Sequence, residues 1–314
     1  MSQKPLPDPA KRLDLAKKLI DSAKIPKAPP AGFIPSKATD DELKLYGLPP
    51  KPDAKADPKR YAKWSKHLSN PVTFVAPTFK IVERDRNPLA KNPATIPKGA
   101  TSGNWSGYVN TDPSPNKYSI VEGEWIVPDP YPNCTNADGT YWTALWVGID
   151  GWSNGEVFQA GVDVDVTVSG GNITGRSALP WYEWYPAYPV VISNFPVSPG
   201  DTIWGYVDAT STTLGYAYLY NVNARAYTSV SFSPPSGTAL QGTSAEWIVE
   251  DPGIPEVLFP NFGSTAFFDC YAYCGVWQTL SNGGIPINLV ESSGTLAEPI
   301  DECTTSFIVI YTGC

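Results

Sequence analysis

The sequence has almost no histidine, and most of its length has almost no basic residues. Its 314 residues include one histidine, His67, and residues 101–314 contain only Lys117, Arg176 and Arg225 as basic residues. A Ser-His-Asp or Cys-His mechanism therefore lacks its histidine in that region, and a histidine-ligated zinc site is excluded there. The presence of a single lysine, Lys117, also disfavours a Ser-Lys dyad. We interpret His67 as a solvated surface residue, and we predict chemistry that needs no metal or other cofactor.

The basic residues are concentrated at the N-terminal end instead. Residues 1–100 carry 20 of the 23 Lys and Arg residues with 10 carboxylates, a formal charge of +10, whereas residues 101–314 carry 21 carboxylates and a charge of −18. Two regions so charged should attract each other, and the asymmetry indicates a tail or a detachable partner. Because carboxylates titrate near pH 4, the second region loses most of its charge in acid, which favours adaptation to acid.

The composition changes near residue 100. The first 100 residues hold 16 of the 33 prolines but only one of the 11 tryptophans and two of the 17 tyrosines. We predict a basic, propeptide-like segment over 1–100, with short helices at 10–22, 40–43 and 59–68 and no core of its own. A disordered tail is the alternative for this segment. Residues 101–314 are long enough for one large core and are predicted to be the catalytic domain.

Several classes of protein are disfavoured, and an export route is indicated. No apolar run is long enough to span a membrane, no signal peptide is visible after Met1, and the acidic second region argues against nucleic-acid binding. That region contains all the cysteines and three glycosylation sequons: Cys134, Cys270, Cys274, Cys303 and Cys314, and Asn104, Asn133 and Asn172. These features favour an oxidising setting, so we expect an extracellular monomer with at least one unpaired thiol.

From residue 105 onward, apolar and polar residues alternate with the period of two that is typical of β-strands. In the run 157–169, Phe158 and Val162 face one side and Gln159 and Asp163 the other, so one face is buried and the other wet. Similar runs cover residues 122–127, 141–150, 181–185, 202–209, 215–222, 228–232, 244–250, 265–270 and 305–312. No helical periodicity intervenes, so we predict an all-β sandwich of two antiparallel sheets, of jelly-roll type.

The wet faces of these strands combine large aromatic residues with acids. The alternation groups Trp142 with Trp146 and Asp150, Trp181 with Glu183 and Tyr185, and Glu246 with Ile248 and Glu250. Such a surface is typical of a groove that binds an extended polymer. The residue types alone do not distinguish a peptide from a glycan as that polymer.

Five sequence runs together resemble a known motif set. They are Gly103-Asn104-Trp105-Ser106-Gly107, Trp146-Val147-Gly148-Ile149-Asp150-Gly151, Phe158-Gln159-Ala160-Gly161-Val162-Asp163, Trp181-Tyr182-Glu183-Trp184-Tyr185-Pro186 and Ala245-Glu246-Trp247-Ile248-Val249-Glu250-Asp251. In this order they resemble the motifs of the fungal glutamic peptidases, also called eqolisins, and they span nearly all of residues 101–314.

The resemblance implies a concanavalin A-like sandwich and acid endopeptidase activity without a cofactor. It places the catalytic pair on Gln159 and Glu250, the second acid of its run rather than Glu246. The implied cleft residues that contact the substrate are Trp105, Trp146, Asp150, Asp163, Trp181, Glu183 and Tyr185. In this mechanism Glu250 takes a proton from an attacking water, while the amide of Gln159 holds that water and stabilises the oxyanion.

We therefore expect an acid-acting endopeptidase made as a zymogen, with polypeptides as substrates. Residues 1–100 would act as an intramolecular inhibitor whose basic residues cover the acidic cleft at neutral pH. Two alternatives remain open on the residues alone. A jelly-roll glycoside hydrolase would use paired acids in an aromatic groove, and a carbohydrate-binding lectin would have no need of a basic prosegment.

Overall fold

The computed structural model describes residues 8–84, 88–111, 117–211, 213–252 and 258–313. Helices α1, α2 and α3 span Pro9–Ser22, Asp40–Leu45 and Pro58–Leu68, and a short 3-10 helix spans Pro35–Lys37. Strands β1 to β10 span Thr73–Phe74, Phe79–Ile81, Ala94–Ile96, Gly99–Ser102, Trp105–Thr111, Ile120–Ile126, Gly139–Ile149, Val157–Ser169, Asn172–Tyr185 and Val190–Ile192. Strands β11 to β19 span Thr202–Ser211, Leu214–Asn221, Ala226–Phe232, Ser244–Glu250, Ser264–Tyr273, Trp277–Gln278, Gly284–Glu291, Gly294–Cys303 and Ser306–Tyr311.

The strands form two sheets that pack face to face. The front sheet has the order β2-β10-β9-β8-β7-β14-β5-β17-β4-β3. The back sheet has the order β18-β19-β15-β6-β11-β12-β13-β1, and the short β16 pairs with the end of β15. Strand β17 also pairs with β18, so a hairpin joins the two sheets. The predicted all-β sandwich is confirmed.

Side chains that alternate inward from both sheets form the main core. The front sheet contributes Val147, Val162 and Trp247, and the back sheet contributes Ile203 and Leu219, all fully or almost fully buried in one cluster. The opposite residues of each strand therefore lie on the outer faces of the sandwich. These two outer faces carry acidic side chains, on β6 in the back sheet and on β9 and β14 in the front sheet.

The N-terminal segment, residues 8–100, packs against the sandwich rather than forming a separate core. Strand β2 pairs with β10 at the edge of the front sheet, and β1 pairs in parallel with β13 at the edge of the back sheet. Helix α1 begins after Asp8, whose carboxylate accepts a hydrogen bond from the Ala10 backbone. Its Leu15 and Leu19 are buried in the main core cluster.

Helix α3 covers the outer face of the back sheet. There the imidazole Nε2 of His67 lies 2.8 Å from a carboxylate oxygen of Glu124, and only 7% of His67 is exposed. The interpretation of His67 as a solvated surface residue is therefore wrong. The alternation on β6 points Glu124 outward, and α3 then encloses both groups.

All the strands predicted from alternation lie within observed strands, apart from one or two residues at some ends. The predicted helices correspond to α1, α2 and α3. The observed β9 starts at Asn172, well before the predicted start at Trp181, because its first half is an exposed hairpin arm without alternation. Strands β1 to β5, β10 and β16 to β18 were not predicted. Of these, β17 and β18 each contain a proline, Pro286 and Pro299.

Cys134 is in a disulfide bond, whereas Cys270, Cys274 and Cys303 are free thiols. Cys314 lies outside the described residues. Among the helices in the described ranges, none has the length and apolar character needed to cross a bilayer.

Candidate active site

The outer face of the front sheet brings most of the predicted site residues together. We call this surface the cleft face and define it by Trp105, Trp146, Gln159, Asp163, Trp181, Glu183, Tyr185, Glu246, Ile248 and Glu250. Strand β7 lies between β8, which carries the predicted glutamine, and β14, which carries the predicted glutamate. The three strands fix the spacing of the polar groups.

Gln159 lies opposite Gly148 on β7 and opposite Glu183 on β9. Its Nε2 donates a hydrogen bond of 2.7 Å to a carboxylate oxygen of Glu183. Its Oε1 is buried and makes no hydrogen bond with the described residues. A Cβ on Gly148 would approach the Gln159 Cβ to 3.2 Å, so the glycine leaves room beside the amide. The nitrogen of the Gln159 amide is thus held by Glu183, and its oxygen is available to accept a hydrogen bond.

Glu250 lies opposite Ala144 on β7 and opposite Trp105 on β5. Its Oε2 accepts a hydrogen bond of 2.8 Å from the indole Nε1 of Trp146. An N–H donor of this kind favours the charged form of a carboxylate. Ala144 and Gly148 are four residues apart, roughly 13 Å along an extended strand, so Glu250 and Gln159 occupy cross-strand rows on either side of the row that contains Trp146.

Glu246 lies in the same cross-strand row as Gln159, opposite Gly148 from the other side. Burial raises the pKa of Glu246 well above its usual 4.5, with a smaller rise from Asp150 and an opposing hydrogen bond from Ser244. The Glu246 carboxyl therefore stays protonated in acid and cannot take a proton from water there.

A second indole donates to a carboxylate on the cleft face, as the Trp146 indole does to Glu250. The indole Nε1 of Trp181 donates a hydrogen bond of 2.6 Å to Asp163, and Trp105 packs edge-on against Trp146. Tyr185 packs in the same cluster, and burial raises its pKa to about 12. Asp163 also lies 3.6 Å from a guanidinium nitrogen of Arg84, so the acids of the cleft face have cationic as well as neutral neighbours.

Asp150 follows β7 and has a left-handed backbone, with φ of 71°. Its carboxylate accepts hydrogen bonds from the backbone N–H groups of Gln241, Gly242 and Thr243, and from the side chain of Asn154. The structure therefore places Asp150 as a clamp on the loop that leads into β14, at the end of the cleft face.

The N-terminal segment covers the cleft face. The backbone oxygen of Pro88 accepts a hydrogen bond of 3.1 Å from the Trp105 indole, and the backbone N–H of Ala90 donates one of 3.0 Å to Gly151. Arg84 makes hydrogen bonds of 3.0 and 2.6 Å to Asp165. We call residues 82–84 and 88–91 the strap. The predicted catalytic and cleft residues are all at most 5% exposed, so this form is closed.

A second residue of the N-terminal segment enters the site from α1. Arg12 is fully buried, and one of its guanidinium nitrogens lies 3.7 Å from Oε1 of Glu183, whose Oε2 accepts the hydrogen bond from Gln159. Its guanidinium also lies over the Tyr188 ring, 4.2 Å from the centroid. Sequence reasoning identified the basic charge of this segment but missed Arg12 and Arg84, because nothing in the spacing distinguishes them from the other cations.

Comparison with known proteins gives a consistent result. The sequence model of the Peptidase A4 family matches residues 103–307. Aspergillopepsin-2 of Aspergillus niger is 32% identical over 229 residues, which cover 67% of this chain and 78% of that protein. Scytalidopepsin B of Scytalidium lignicola is 37% identical over 123 residues, which cover 38% of this chain and 43% of that protein.

Solved structures agree with the sequence comparisons. Scytalido-glutamic peptidase with a transition state analog inhibitor superposes with a TM-score of 0.56 and 26% identity, covering 67% of this chain and 98% of that chain. A member of the eqolisin family in complex with the tripeptide Ala-Ile-His has a TM-score of 0.54 and 25% identity, with the same coverage of both chains.

Proposed function

This chain belongs to the Peptidase A4 family and is a glutamic peptidase, and on that premise we propose that Gln159 and Glu250 are its catalytic pair. The observation that carries the proposal is the buried amide of Gln159. Glu183 holds its nitrogen, and its oxygen makes no hydrogen bond with the described residues. A buried polar atom without a partner is costly, so it is expected to serve a ligand or a water.

The residues divide the work of peptide hydrolysis between them. The Oε1 of Gln159 accepts a hydrogen bond from the attacking water, and Glu250 removes a proton as the water oxygen bonds to the scissile carbonyl carbon. The second N–H of the Gln159 amide donates to the oxyanion that forms. Glu250 then gives its proton to the leaving amine nitrogen as the C–N bond breaks.

The surrounding groups support these roles. The Trp146 indole fixes the Glu250 carboxyl, and the Trp181 indole fixes Asp163. Glu183 holds the amide of Gln159 in one orientation.

We propose further that the full-length chain is a zymogen that acts in acid. The strap covers the cleft face, and Arg12 contacts the acid that holds Gln159. A substrate therefore reaches the catalytic pair only after these contacts break. The acidic sandwich as a whole loses its attraction for a basic segment in acid. Extracellular action remains a prediction from the cysteines and sequons.

Substitution of Gln159 by alanine tests the pair. Casein cleavage at pH 3 to 4 should fall by at least about 100-fold, since one oxyanion donor is worth roughly 3 to 4 kcal/mol. Val164→Ala, an inward substitution on the same strand, is a matched control for the stability of β8. Cleavage by a folded Gln159→Ala protein at the rate of the unchanged chain would disprove the role of the amide.

A further inference from the structure

A second acidic surface lies on the outer face of the back sheet, away from the cleft face. Cross-strand pairing sets Glu122 beside Tyr206 and Tyr271, and Glu124 beside Trp204. We call this surface the tyrosine face and define it by Glu122, Glu124, Trp204, Tyr206, Tyr216, Tyr218, Tyr220, Tyr227 and Tyr271. All of these residues except Tyr216 are buried in the full-length chain.

The helix α3 is what covers the centre of this surface. Arg60 and Lys63 lie 2.5 and 2.9 Å from the two carboxylate oxygens of Glu122. The Arg60 guanidinium also stacks on Trp277, 3.2 Å from the ring centroid, and the Lys63 ammonium lies over Trp204 at 4.5 Å. Both cations are almost completely buried, so these contacts are shielded from solvent.

The tyrosine hydroxyls of this surface also donate hydrogen bonds to backbone oxygens of the N-terminal segment. Tyr216 and Tyr227 donate to the backbone oxygens of Gly47 and Tyr46, at 3.0 and 2.8 Å. Tyr220 donates to the backbone oxygen of His67. These hydrogen bonds do not depend on pH in acid, because a tyrosine hydroxyl is neutral there. Trp64 and Leu68 of α3 are buried in the same cluster as these rings.

We propose that the tyrosine face is a second binding site, specific for a basic helix, which keeps α3 bound in acid after the chain is cut between the N-terminal segment and the sandwich. The strap opens to give activity, whereas the segment that contains α2 and α3 stays bound to the sandwich as a non-covalent subunit. The occupant is this chain's own residues 33–75. The proposal goes beyond the proposed function, because it concerns a surface that takes no part in peptide cleavage.

The electrostatics of Glu122 supports retention in acid. Burial alone would raise the pKa of Glu122, but Arg60 and Lys63 outweigh it and lower that pKa to about 2. The attraction is therefore complete above about pH 4.5 and is lost only as the pH falls through about 2. It persists at pH 3.5, where carboxylates of ordinary pKa are largely protonated.

The other charged groups around α3 do not overturn this balance. Asp57, at the start of α3, pairs with Arg60, and His67 pairs with Glu124. Asp269 on β15 faces Lys63 and His67, and burial raises its pKa, so it becomes neutral before Glu122 does. Its protonation removes one attraction for Lys63 and leaves the bond to Glu122 in place.

The test uses the full chain with Gln159→Ala, which cannot digest itself under the proposed mechanism. Cleavage sequences for an unrelated site-specific protease are placed within residues 28–32 and 92–98, both mostly exposed. After cutting at pH 7, size-exclusion chromatography with mass spectrometry at pH 7 and pH 3.5 follows the middle fragment, which contains α3 but not α1. We expect it to elute with the sandwich at both pH values.

Two variants test whether the contact between α3 and Glu122 holds the middle fragment. Arg60→Met leaves Glu122 with one cation, so the dissociation constant of the middle fragment at pH 3.5 should rise on the order of 100-fold. Arg84→Ala, which removes a partly exposed cation from the strap of the same fragment, should change it by no more than about fivefold.

Two results would overturn the proposal. The first is loss of the middle fragment from the sandwich at pH 3.5, or its failure to stay bound at pH 7. The second is retention that Arg60→Met and Arg84→Ala weaken equally. If the peptidase mechanism fails and the Gln159→Ala chain digests itself, mass spectrometry shows new fragments at pH 3.5, whereas failure of this proposal shows intact fragments that separate.

Discussion

The two outer faces of the sandwich are built from similar residues and hold their acids in different ways. On the cleft face, Glu250 and Asp163 accept hydrogen bonds from indole N–H groups. On the tyrosine face, Glu122 is enclosed by Arg60 and Lys63. The N-terminal segment covers both faces, by a strap of backbone contacts over the first and by a helix over the second.

The comparison shows that buried carboxyl groups can have different roles, depending on the groups that surround them. On the cleft face, Trp181 and Gln159 donate short hydrogen bonds to Asp163 and Glu183, and the cations lie farther away, with Arg84 3.6 Å from Asp163 and Arg12 3.7 Å from Glu183. A buried carboxylate held by two cations resists protonation, because losing its charge would strand both partners. The tyrosine face is therefore suited to attachment of the helix that covers it.

The largest expected effect separates the two glutamates of β14. Glu250→Gln removes the base, so kcat for casein cleavage at pH 3 to 4 should fall on the order of 1,000-fold. Glu246→Gln removes a carboxyl that is already protonated in acid, so kcat should fall less than about tenfold. Steady-state kinetics with circular dichroism as a folding control measures both. The reverse order would transfer the catalytic role to Glu246, which shares the row of Gln159.

The next effect concerns stability on the tyrosine face. Glu122→Gln leaves Arg60 and Lys63 buried without their anion, so the free energy of unfolding should fall by about 3 to 5 kcal/mol at pH 6. Because the pKa of Glu122 is lowered to about 2, the difference from the unchanged chain should persist at pH 4 and shrink only as the pH approaches 2.

Urea titrations at several pH values measure this difference, in chains carrying Gln159→Ala. Glu302→Gln, a substitution of an exposed carboxylate, is the matched control and should change stability by less than about 0.5 kcal/mol. A Glu122→Gln protein as stable as that control would show that the tyrosine face does not need its charge.

A smaller effect is expected where the strap is held by ions. Arg84→Ala removes the ion pair with Asp165. Because the Arg84 side chain is about one quarter exposed, the pair is partly screened by solvent, and self-processing near pH 5 should be only severalfold faster. Time courses followed by gel electrophoresis measure it. Lys80→Ala, an exposed cation on β2, should leave the rate unchanged. Equal effects of the two changes would mean that overall charge, rather than this contact, closes the cleft.

The smallest effect distinguishes the three sequons by burial. Asn104 is 2% exposed and donates to the strap at Leu89, and Asn133 donates to the backbone of Phe259, whereas Asn172 lies on an exposed hairpin. In a secretory yeast host, Asn172→Gln should remove the glycan shift on gel electrophoresis without changing activity, and Asn133→Gln should leave the shift intact. A glycan on Asn104 would mean that the strap had not closed over it.

Much of the sandwich follows from local pattern in the sequence. Alternation found the strands that bury one face, such as Val157–Ser169, because half of their residues enter the core. It did not find β17 and β18, where prolines interrupt the pattern. The membership that the motifs indicated is confirmed, and the glycan-binding alternatives are not supported by any relative found.

The tyrosine face was the main feature missed, although the sequence carries a signal for it. On β12, Tyr216, Tyr218 and Tyr220 alternate with Ala217 and Leu219, so both sides of the strand are apolar or aromatic. Such a pattern indicates a sheet covered on both faces. Which segment supplies the cover depends on contacts between residues more than a hundred positions apart, as in Tyr227 with Tyr46. Local sequence contains no information about such contacts.

The pairing of β2 with β10 has a consequence for how copies of the protein behave in solution. Residues 79–81 occupy the hydrogen-bonding edge of Val190–Ile192, three consecutive apolar residues. Any processed form that loses β2 presents this edge unpaired, and an unpaired apolar strand is a template for aggregation or for pairing with another extended chain. Removal of the N-terminal segment would therefore lower the colloidal stability of the protein, independently of any change in its rate of proteolysis.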